Sequence, residues 1–244
     1  MSDQEKRPIL SHLKELQQRL IRSVIAVFVT TIIAFYFAQQ IFDILIAPAG
    51  DIELIFIEMT EMLGNYMKVS LAGGIVLAMP YLVYHLIMFV SPALTSREKK
   101  YVYLMLPWIT LMFAGGVAFG YYVLIPPATK FLLSWGAEIA DPQIRIGNYI
   151  SLVTRLLLSL GLVFEMPVIT TFLARLGVIT PKWLSSKRRI AIVFAFILAA
   201  VITPTFDPIN QTLVAAPLII LYELSIWLAK LVQRRKPSSP NVSQ

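Results

Sequence analysis

The sequence predicts an all-α protein that crosses a lipid bilayer several times. Its 244 residues are 57% hydrophobic and only 14% charged, whereas soluble domains carry about 25% charged residues. The mean hydropathy is +0.73. Only helices and closed barrels satisfy all their backbone hydrogen bonds inside lipid. Because the apolar runs lack the in-out alternation of barrel strands, we predict a polytopic helical membrane protein.

Six apolar runs predict six crossings. Each run holds at most one acid, and each is near or above the roughly 17 to 25 residues that span a bilayer as a helix. The runs cover residues 23–42, 69–96, 101–129, 156–174, 190–206 and 208–229. We therefore predict one six-helix transmembrane domain over residues 1–231 and a disordered cytoplasmic tail over residues 232–244.

The distribution of basic residues predicts the orientation. Seventeen of the 21 lysines and arginines fall before the first crossing, after the second, around the loop after the fourth, and in the tail. The segment 43–61 instead holds five acids and no base. By the positive-inside rule, both termini are cytoplasmic. Contact with the anionic lipid bilayer accounts for the net charge of +7, so nucleic acid is not an expected partner.

The segment before the first crossing predicts an amphipathic helix. Residues 9–20 place four apolar side chains on one face: Ile9, Leu13, Leu16 and Leu20. This spacing is typical of a helix that buries one face. We expect the helix to lie along the inner membrane surface before the chain turns into the bilayer. On the outer side, Pro126, Pro127 and Trp135 predict a short interfacial helix.

The fifth run predicts a short helix followed by a polar turn. Residues 190–202 extend about 20 Å as a helix, against about 30 Å of hydrocarbon. The next stretch, TPTFDPINQ, carries Asp207 and Gln211. Either the bilayer thins at this hairpin or the hairpin ends inside it, and both place polar groups at unusual depth. The alternative is an ordinary polar turn at the surface.

The fourth run contains an acid and a proline two residues apart, in the stretch LVFEMPVI. An acid in mid-membrane costs about 2.5 to 3.5 kcal/mol, so Glu165 should face protein or a wet cavity. At 100° per residue it shares a face with Ser151, Thr154 and Gly161. Pro167 should bend the helix, and we expect the bent face to line a concavity. The alternative is a structural glutamate, hydrogen-bonded across helices or paired with an arginine such as Arg155.

Two acids of the basic inner face also stand out. Glu15 lies before the first crossing, and Glu98 lies in the loop after the second. Both have structural alternatives, since Thr95 and Glu98 fit a capping box and Glu15 can pair with Arg19 at i, i+4.

No motif in the chain indicates an enzyme. The motifs HExxH, GxSxG and GxxxxGK[ST] do not occur, and without cysteine there is no thiol nucleophile or thiolate metal site. His85 lies beside Tyr81 and Tyr84 and is predicted to pack between them instead of binding a ligand. We therefore predict no catalytic residue, metal or cofactor, and any transport work must use an external energy source.

Four segments together resemble a known family. HLKELQQRL, FVSPALTSREKK, FEMPV and the DPINQT run before Pro217 are similar in order and spacing to TatC, the multi-spanning subunit of the twin-arginine protein translocase. The resemblance extends from His12 to about Lys230. It implies a concave, glove-like bundle of six helices in the cytoplasmic (inner) membrane, with the last two helices short.

The resemblance also implies a function and its site residues. It implies a receptor that binds Arg-Arg signal-peptide precursors through Glu15 and Glu98 and exports folded proteins with the proton motive force. Glu165 and Pro167 would lie on the concave face. Asp207 and Gln211 would lie where single-span TatA-type and TatB-type subunits dock within an oligomeric complex.

Some residues depart from the family pattern. Gln17 replaces the usual arginine, TPTFD is one residue longer than the common TPPD, and no role follows for TEMLGNYMK. Two alternative functions also fit the residues alone. One is a proton-coupled small-solute carrier that uses Glu165 as a relay, and the other is a purely structural scaffold. The absence of a duplicated half disfavours the carrier.

Overall fold

The computed structural model describes residues 3–50, 54–90, 96–134, 143–203 and 208–234, and these residues are almost entirely helical. The helices are α1 (Asp3–Tyr36), α2 (Ala38–Ile46), α3 (Glu61–Val90), α4 (Ser96–Phe119), α5 (Ile125–Ser134), α6 (Ile146–Phe164), α7 (Met166–Leu176), α8 (Pro181–Ser186), α9 (Arg188–Ile202) and α10 (Pro208–Arg234). Two short strands, β1 (Leu54–Ile55) and β2 (Ile144–Arg145), pair in parallel.

Within these residues, five helical stretches are long and apolar enough to cross a membrane. They are Lys14–Tyr36, Glu61–Leu86, Tyr103–Phe131, Ile146–Leu176 and Pro208–Gln233. The predicted class of an all-α polytopic membrane protein is therefore confirmed. Helix α9 has 15 residues, about 22 Å, so its predicted shortness is also confirmed. The crossing through α9, the fifth of the six predicted, stays a prediction.

The prediction that the last helix is also short was wrong. Helix α10 has 27 residues, about 40 Å. Pro217 lies inside it but does not end it, and the following sequence is rich in good helix formers up to Arg234. The helix thus continues three residues into the predicted tail, and residues 235–244 lie outside the described part of the chain.

The N-terminal segment also differs from the expectation. Helix α1 runs from Asp3 to Tyr36 as one element, so the amphipathic stretch 9–20 continues directly into the first crossing. The predicted turn between a surface helix and the membrane helix is absent over these residues. No glycine or proline lies between Ile9 and Tyr36, and nothing in the local sequence ends the helix there.

The connection after α4 contains a short helix, as predicted. Helix α4 passes without a break through a π-helical turn at Gly120–Leu124 into α5. Pro126 and Pro127 lie in the first turn of α5, directly after the π-helical turn, and each removes a backbone donor from the continuous helix. Trp135 lies outside the described residues.

Small residues allow the crossing helices to pack closely. A Cβ at Gly74 of α3 would lie 2.7 Å from the Thr31 backbone of α1. The Thr30 hydroxyl donates to the Gly74 carbonyl at 2.8 Å. Likewise, a Cβ at Gly116 of α4 would lie 2.7 Å from the Leu160 carbonyl oxygen of α6. Such contacts are the usual basis of helix association in lipid, where apolar burial supplies no driving force.

Helix α6 lies at the centre of the largest buried cluster. Its buried side chains include Ile150, Val153, Leu156 and Leu160, and they pack with residues of α2, α3, α9 and α10. The Tyr149 hydroxyl donates to the Leu45 carbonyl of α2 at 3.0 Å in this core. Helix α6 therefore provides a rigid support for the acid that follows it.

Candidate functional site

The helix that carries Glu165 is interrupted at that residue. Helix α6 ends at Phe164 and α7 begins at Met166, with Pro167 in its first turn. The Glu165 carbonyl accepts hydrogen bonds from the N–H groups of Val168 at 3.1 Å and Ile169 at 2.9 Å. The α-helical pattern therefore breaks beside Pro167, where the sequence predicted a bend.

The Glu165 side chain is sealed inside the protein. The residue is 4% exposed, and its carboxylate lies beside the Phe113 backbone of α4. The prediction that it faces protein and not lipid tails is confirmed. No side chain among the described residues bonds either carboxylate oxygen, so the alternative pairing with Arg155 does not occur. Among these residues the Phe113 backbone is the one polar neighbour across the helices, although its geometry falls short of a hydrogen bond. A buried carboxylate without partners is costly, and such a group indicates a functional site.

The polar face predicted for this helix divides between two neighbours. Ser151 and Thr154 line a hollow of about 240 Å³ between α3 and α6. Gly161 instead packs against the Phe113 ring of α4, on the side where Glu165 is buried. The four residues that share a helical face therefore do not line one hollow, and the concave face at Glu165 and Pro167 stays a prediction. A face that drifts by about 40° over four turns meets different neighbours at its two ends.

The hollow between α3 and α6, called the α3–α6 hollow below, contains two cations. Lys68 and Arg155 line it together with Ser151 and Thr154. Lys68 Nζ donates to Ser151 Oγ at 3.1 Å. The hollow does not include Glu165.

Of the two inner-face acids, the structure describes the side chain of one. Glu15 accepts from Arg19 Nε at 3.0 Å and from Arg19 Nη2 at 2.6 Å. The predicted i, i+4 pair is confirmed, and the Glu15 side chain remains one-third exposed. Glu98 falls in the first turn of α4, but its side chain and Thr95 lie outside the described residues.

The polar hairpin between α9 and α10 has one described site residue. Gln211 Nε2 donates to the Phe196 carbonyl of α9 at 3.0 Å, so this amide joins the two helices. Asp207 lies outside the described residues. His85 is buried with its ring edge against Tyr81 at 4.4 Å and Tyr84 at 5.4 Å between ring centroids, which confirms the predicted packing role.

A carboxylate that sequence reasoning missed joins the two outer connections. Glu61, in the TEMLGNYMK stretch, accepts from Arg145 Nη2 at 3.1 Å, from the Ile57 N–H at 3.1 Å and from the Gly147 N–H at 3.2 Å. The hydrogen bond with Glu61 is the largest of several causes that raise the pKa of Arg145. One sign of this contact was present in the sequence: residues 43–61 are rich in acids, whereas residues 125–150 contain a single arginine, Arg145.

A second missed contact joins α9 and α10 at the opposite end. Arg188 Nε and Nη2 donate to the two oxygens of Glu223 at 2.6 and 2.9 Å, which is bidentate geometry. The neighbouring Tyr222 hydroxyl donates to the Leu184 carbonyl at 2.8 Å. Glu223 is thus a structural acid.

Comparisons with known proteins agree with this architecture. The family model described as Sec-independent protein translocase protein (TatC) matches residues 11–217. The chain is 42% identical to the protein of that name from Aquifex aeolicus, over 94% of this chain and 97% of the relative. It is 39% identical to the one from Carboxydothermus hydrogenoformans, over 93% and 95%.

A solved structure gives the same result. A crystal structure of a twin-arginine translocase receptor, TatC, superimposes with a TM-score of 0.83 and 42% identity, covering 91% of this chain and all of that one. Sequence and fold therefore agree over almost the whole length. The chain belongs to the TatC family of Sec-independent protein translocase proteins.

Proposed function

We propose that this chain is the signal-peptide receptor and core membrane subunit of a twin-arginine translocase. In this role it binds precursors with Arg-Arg signal peptides and exports folded proteins across the cytoplasmic membrane with the proton motive force. The family is that of a protein translocase component and not of an enzyme. The observation that carries the proposal is the match in sequence and fold to the TatC family over almost the whole chain. The Glu15 carboxylate, which holds the Arg19 guanidinium, supports the assignment of this residue as an acceptor of arginine.

The chemistry of recognition depends on the guanidinium group. A planar guanidinium binds a carboxylate through two parallel N–H donors, whereas a lysine ammonium is a point charge without this fork. Glu15 is one-third exposed, so an incoming arginine can reach it by displacing Arg19. We propose that Glu98 binds the second arginine of the signal peptide. The net charge of +7 opposes a dicationic ligand, so short-range bidentate contacts must outweigh that field.

We assign the membrane-embedded steps to the interruption between α6 and α7. Glu165 and Pro167 would act there on the apolar segment of the signal peptide and on partner subunits. A buried carboxylate without a partner among the described residues offers a polar contact in a medium that supplies few others. Asp207 and Gln211 would dock single-span TatA-type and TatB-type subunits in an oligomeric complex.

The proposed topology has six crossings. Helix α9 is the short fifth crossing, α10 is the sixth, and both termini are cytoplasmic. The basic residues of the two inner loops and the tail support this orientation. With α9 at about 22 Å, either the bilayer thins beside the α9–α10 hairpin or the hairpin ends inside it.

The decisive experiment is co-purification with an Arg-Arg presequence and with its Lys-Lys version. We expect the purified protein to retain the Arg-Arg peptide and to lose most of the Lys-Lys peptide. Glu15→Gln and Glu98→Gln should each abolish this preference. The matched control is Glu223→Gln, which neutralises an inner acid that holds Arg188. Equal retention of both peptides, or an unchanged preference in both glutamate variants, would contradict the proposal.

A further inference from the structure

Two cations lie within candidate membrane spans on one side of the bundle. Lys68 lies seven residues after the start of α3, and Arg155 lies nine residues after the start of α6. These separations correspond to distances of about 10 and 14 Å along the two helices from their first residues. Both side chains are exposed on the bundle surface. Neither has an acidic partner in the part of the chain that the structure describes, and a cation in this position is costly without a counter-charge.

The α3–α6 hollow holds the lysine in a fixed position. Lys68 Nζ donates to Ser151 Oγ at 3.1 Å, and Ser151 Oγ donates in turn to the Gly147 carbonyl at 2.6 Å. The Ser151 hydroxyl therefore donates its proton to the Gly147 carbonyl, and a lone pair on the same oxygen accepts the hydrogen bond from Lys68. An ammonium group has three donors, so two remain for an anion in the hollow.

The hollow also has a polar end and an apolar end. Along α3, Lys68 is followed towards the middle of the membrane by Leu71, Ala72 and Ile75, and along α6, Arg155 is followed by Leu158. Both helices begin at the same end of the bundle, because β1 and β2 pair just before them. The charges thus lie nearer that membrane surface, and the aliphatic side chains lie deeper.

We propose that the α3–α6 hollow binds one anionic phospholipid. The phosphodiester would lie between Lys68 and Arg155, and an acyl chain would extend along Leu71, Ile75 and Leu158. Charge complementarity selects the anion. The order from charged to apolar along the two helices is that of a lipid with its head at this surface, and Lys68, Leu71 and Arg155 of the lining are exposed on the outside of the bundle. A carboxylate on a partner helix would satisfy the charges but would leave the apolar end unexplained.

Native mass spectrometry of the delipidated, full-length protein tests the proposal. The protein is titrated with phosphatidylglycerol and, separately, with phosphatidylcholine of the same acyl chains. We expect wild-type protein to bind one phosphatidylglycerol at least tenfold more tightly than phosphatidylcholine. The double variant Lys68→Gln, Arg155→Gln should lose this preference. Lys130→Gln, which removes an exposed cation of α5 outside the hollow, should keep it.

Further arms separate the possible sources of the anion and control for folding. Lys68→Arg keeps the charge and should keep the lipid, which distinguishes loss of charge from loss of fold. Glycerophosphoglycerol, the headgroup without acyl chains, should not displace the lipid at equal concentration. Equal binding of the two lipids, unchanged binding in the double variant, or displacement by the headgroup alone would overturn the proposal. So would a photo-crosslinker at Leu71 that captures only a partner subunit and no lipid.

Discussion

Two ionisable residues of one helical segment have opposite environments. Arg155 and Glu165 are ten residues apart, yet Arg155 is exposed in an open hollow and Glu165 is 4% exposed. The pattern of side chains along the chain predicted that Glu165 is sheltered, because an acid cannot face acyl chains at low cost. It could not predict which neighbouring helix shelters it. That depends on Gly161 packing against Phe113, a contact between residues distant in sequence.

At the residue scale, neutralising Glu165 should separate stability from function. Glu165→Gln keeps the shape and removes a buried charge that has no partner among the described residues. We expect the variant to be as stable as the wild type or more stable, by up to about 2 kcal/mol, and to lose export of Arg-Arg precursors. Thermal unfolding in detergent and an export assay measure the two effects. A large loss of stability would show instead that the carboxylate is structural.

Also at this scale, Arg19 should compete with the signal peptide. The Glu15–Arg19 pair is half-buried, and an i, i+4 ion pair contributes about 0.2 to 0.5 kcal/mol, so Arg19→Gln should raise the affinity for an Arg-Arg peptide about twofold. Arg22→Gln is the control, since it removes the same charge three residues away while the Glu15–Arg19 pair remains. Titration with a fluorescent Arg-Arg peptide measures the affinity of each variant. Equal affinity in the two variants would mean that only net charge matters.

Helices could be predicted from the sequence where residues close together in the chain determine them. The class, the apolar crossings, the short α9 and the interruption beside Pro167 all follow from hydropathy and proline positions. The ends of α1 and α10 did not follow. Helix α1 continues through the predicted turn, and α10 passes Pro217, because packing against neighbouring helices decides whether a helix continues. Close approaches between helices are equally non-local.

At the element scale, two adjacent glycines of α4 should respond oppositely to the same change. A Cβ at Gly116 would meet the Leu160 carbonyl oxygen at 2.7 Å and Gly161 Cα at 2.9 Å. These are backbone atoms of α6 that cannot move aside, so Gly116→Ala should destabilise the protein by about 1 to 3 kcal/mol. A Cβ at Gly115 meets nothing within 4 Å, so Gly115→Ala should stabilise by up to about 1 kcal/mol. Thermal unfolding of both variants decides, and equal effects would refute the close α4–α6 packing.

At the scale of the whole molecule, the end of the bundle at which α3 and α6 begin, the predicted outer end, is held by contacts between two distant segments. Strand β1 pairs with β2. The Glu61 carboxylate accepts hydrogen bonds from the Arg145 side chain and the Gly147 N–H, which lie more than 80 residues away in the sequence. This arrangement places the beginnings of α3 and α6 side by side, and so brings Lys68 and Ser151 together. No local pattern marks such a pairing, which is why the sequence predicted no role for TEMLGNYMK.

Two acids, Glu58 and Glu61, bind the same arginine, Arg145, but differ in how deeply they are buried. The Glu61 side chain is 10% exposed and accepts from Arg145 and two backbone N–H groups, whereas Glu58 is 69% exposed and contacts only Arg145, at 3.3 Å, among the contacts described. Glu61→Gln leaves these donors facing a weaker acceptor, so Tm should fall by several degrees. Glu58→Gln should leave Tm unchanged within error, because exposed pairs contribute little.

The same pair of variants tests how the outer end positions the α3–α6 hollow. If Glu61 fixes the relative positions of α3 and α6, Glu61→Gln should also loosen the Lys68–Ser151 contact, and Glu58→Gln should not. Spin labels at Leu71 and Leu158, on the two walls of the hollow, report this as a broader distance distribution. An unchanged distribution in Glu61→Gln, together with a lowered Tm, would mean that the outer contacts add stability without setting the spacing of the two helices. Unchanged values of both quantities would contradict the role of Glu61 altogether, since the shared acceptor is then dispensable to the fold.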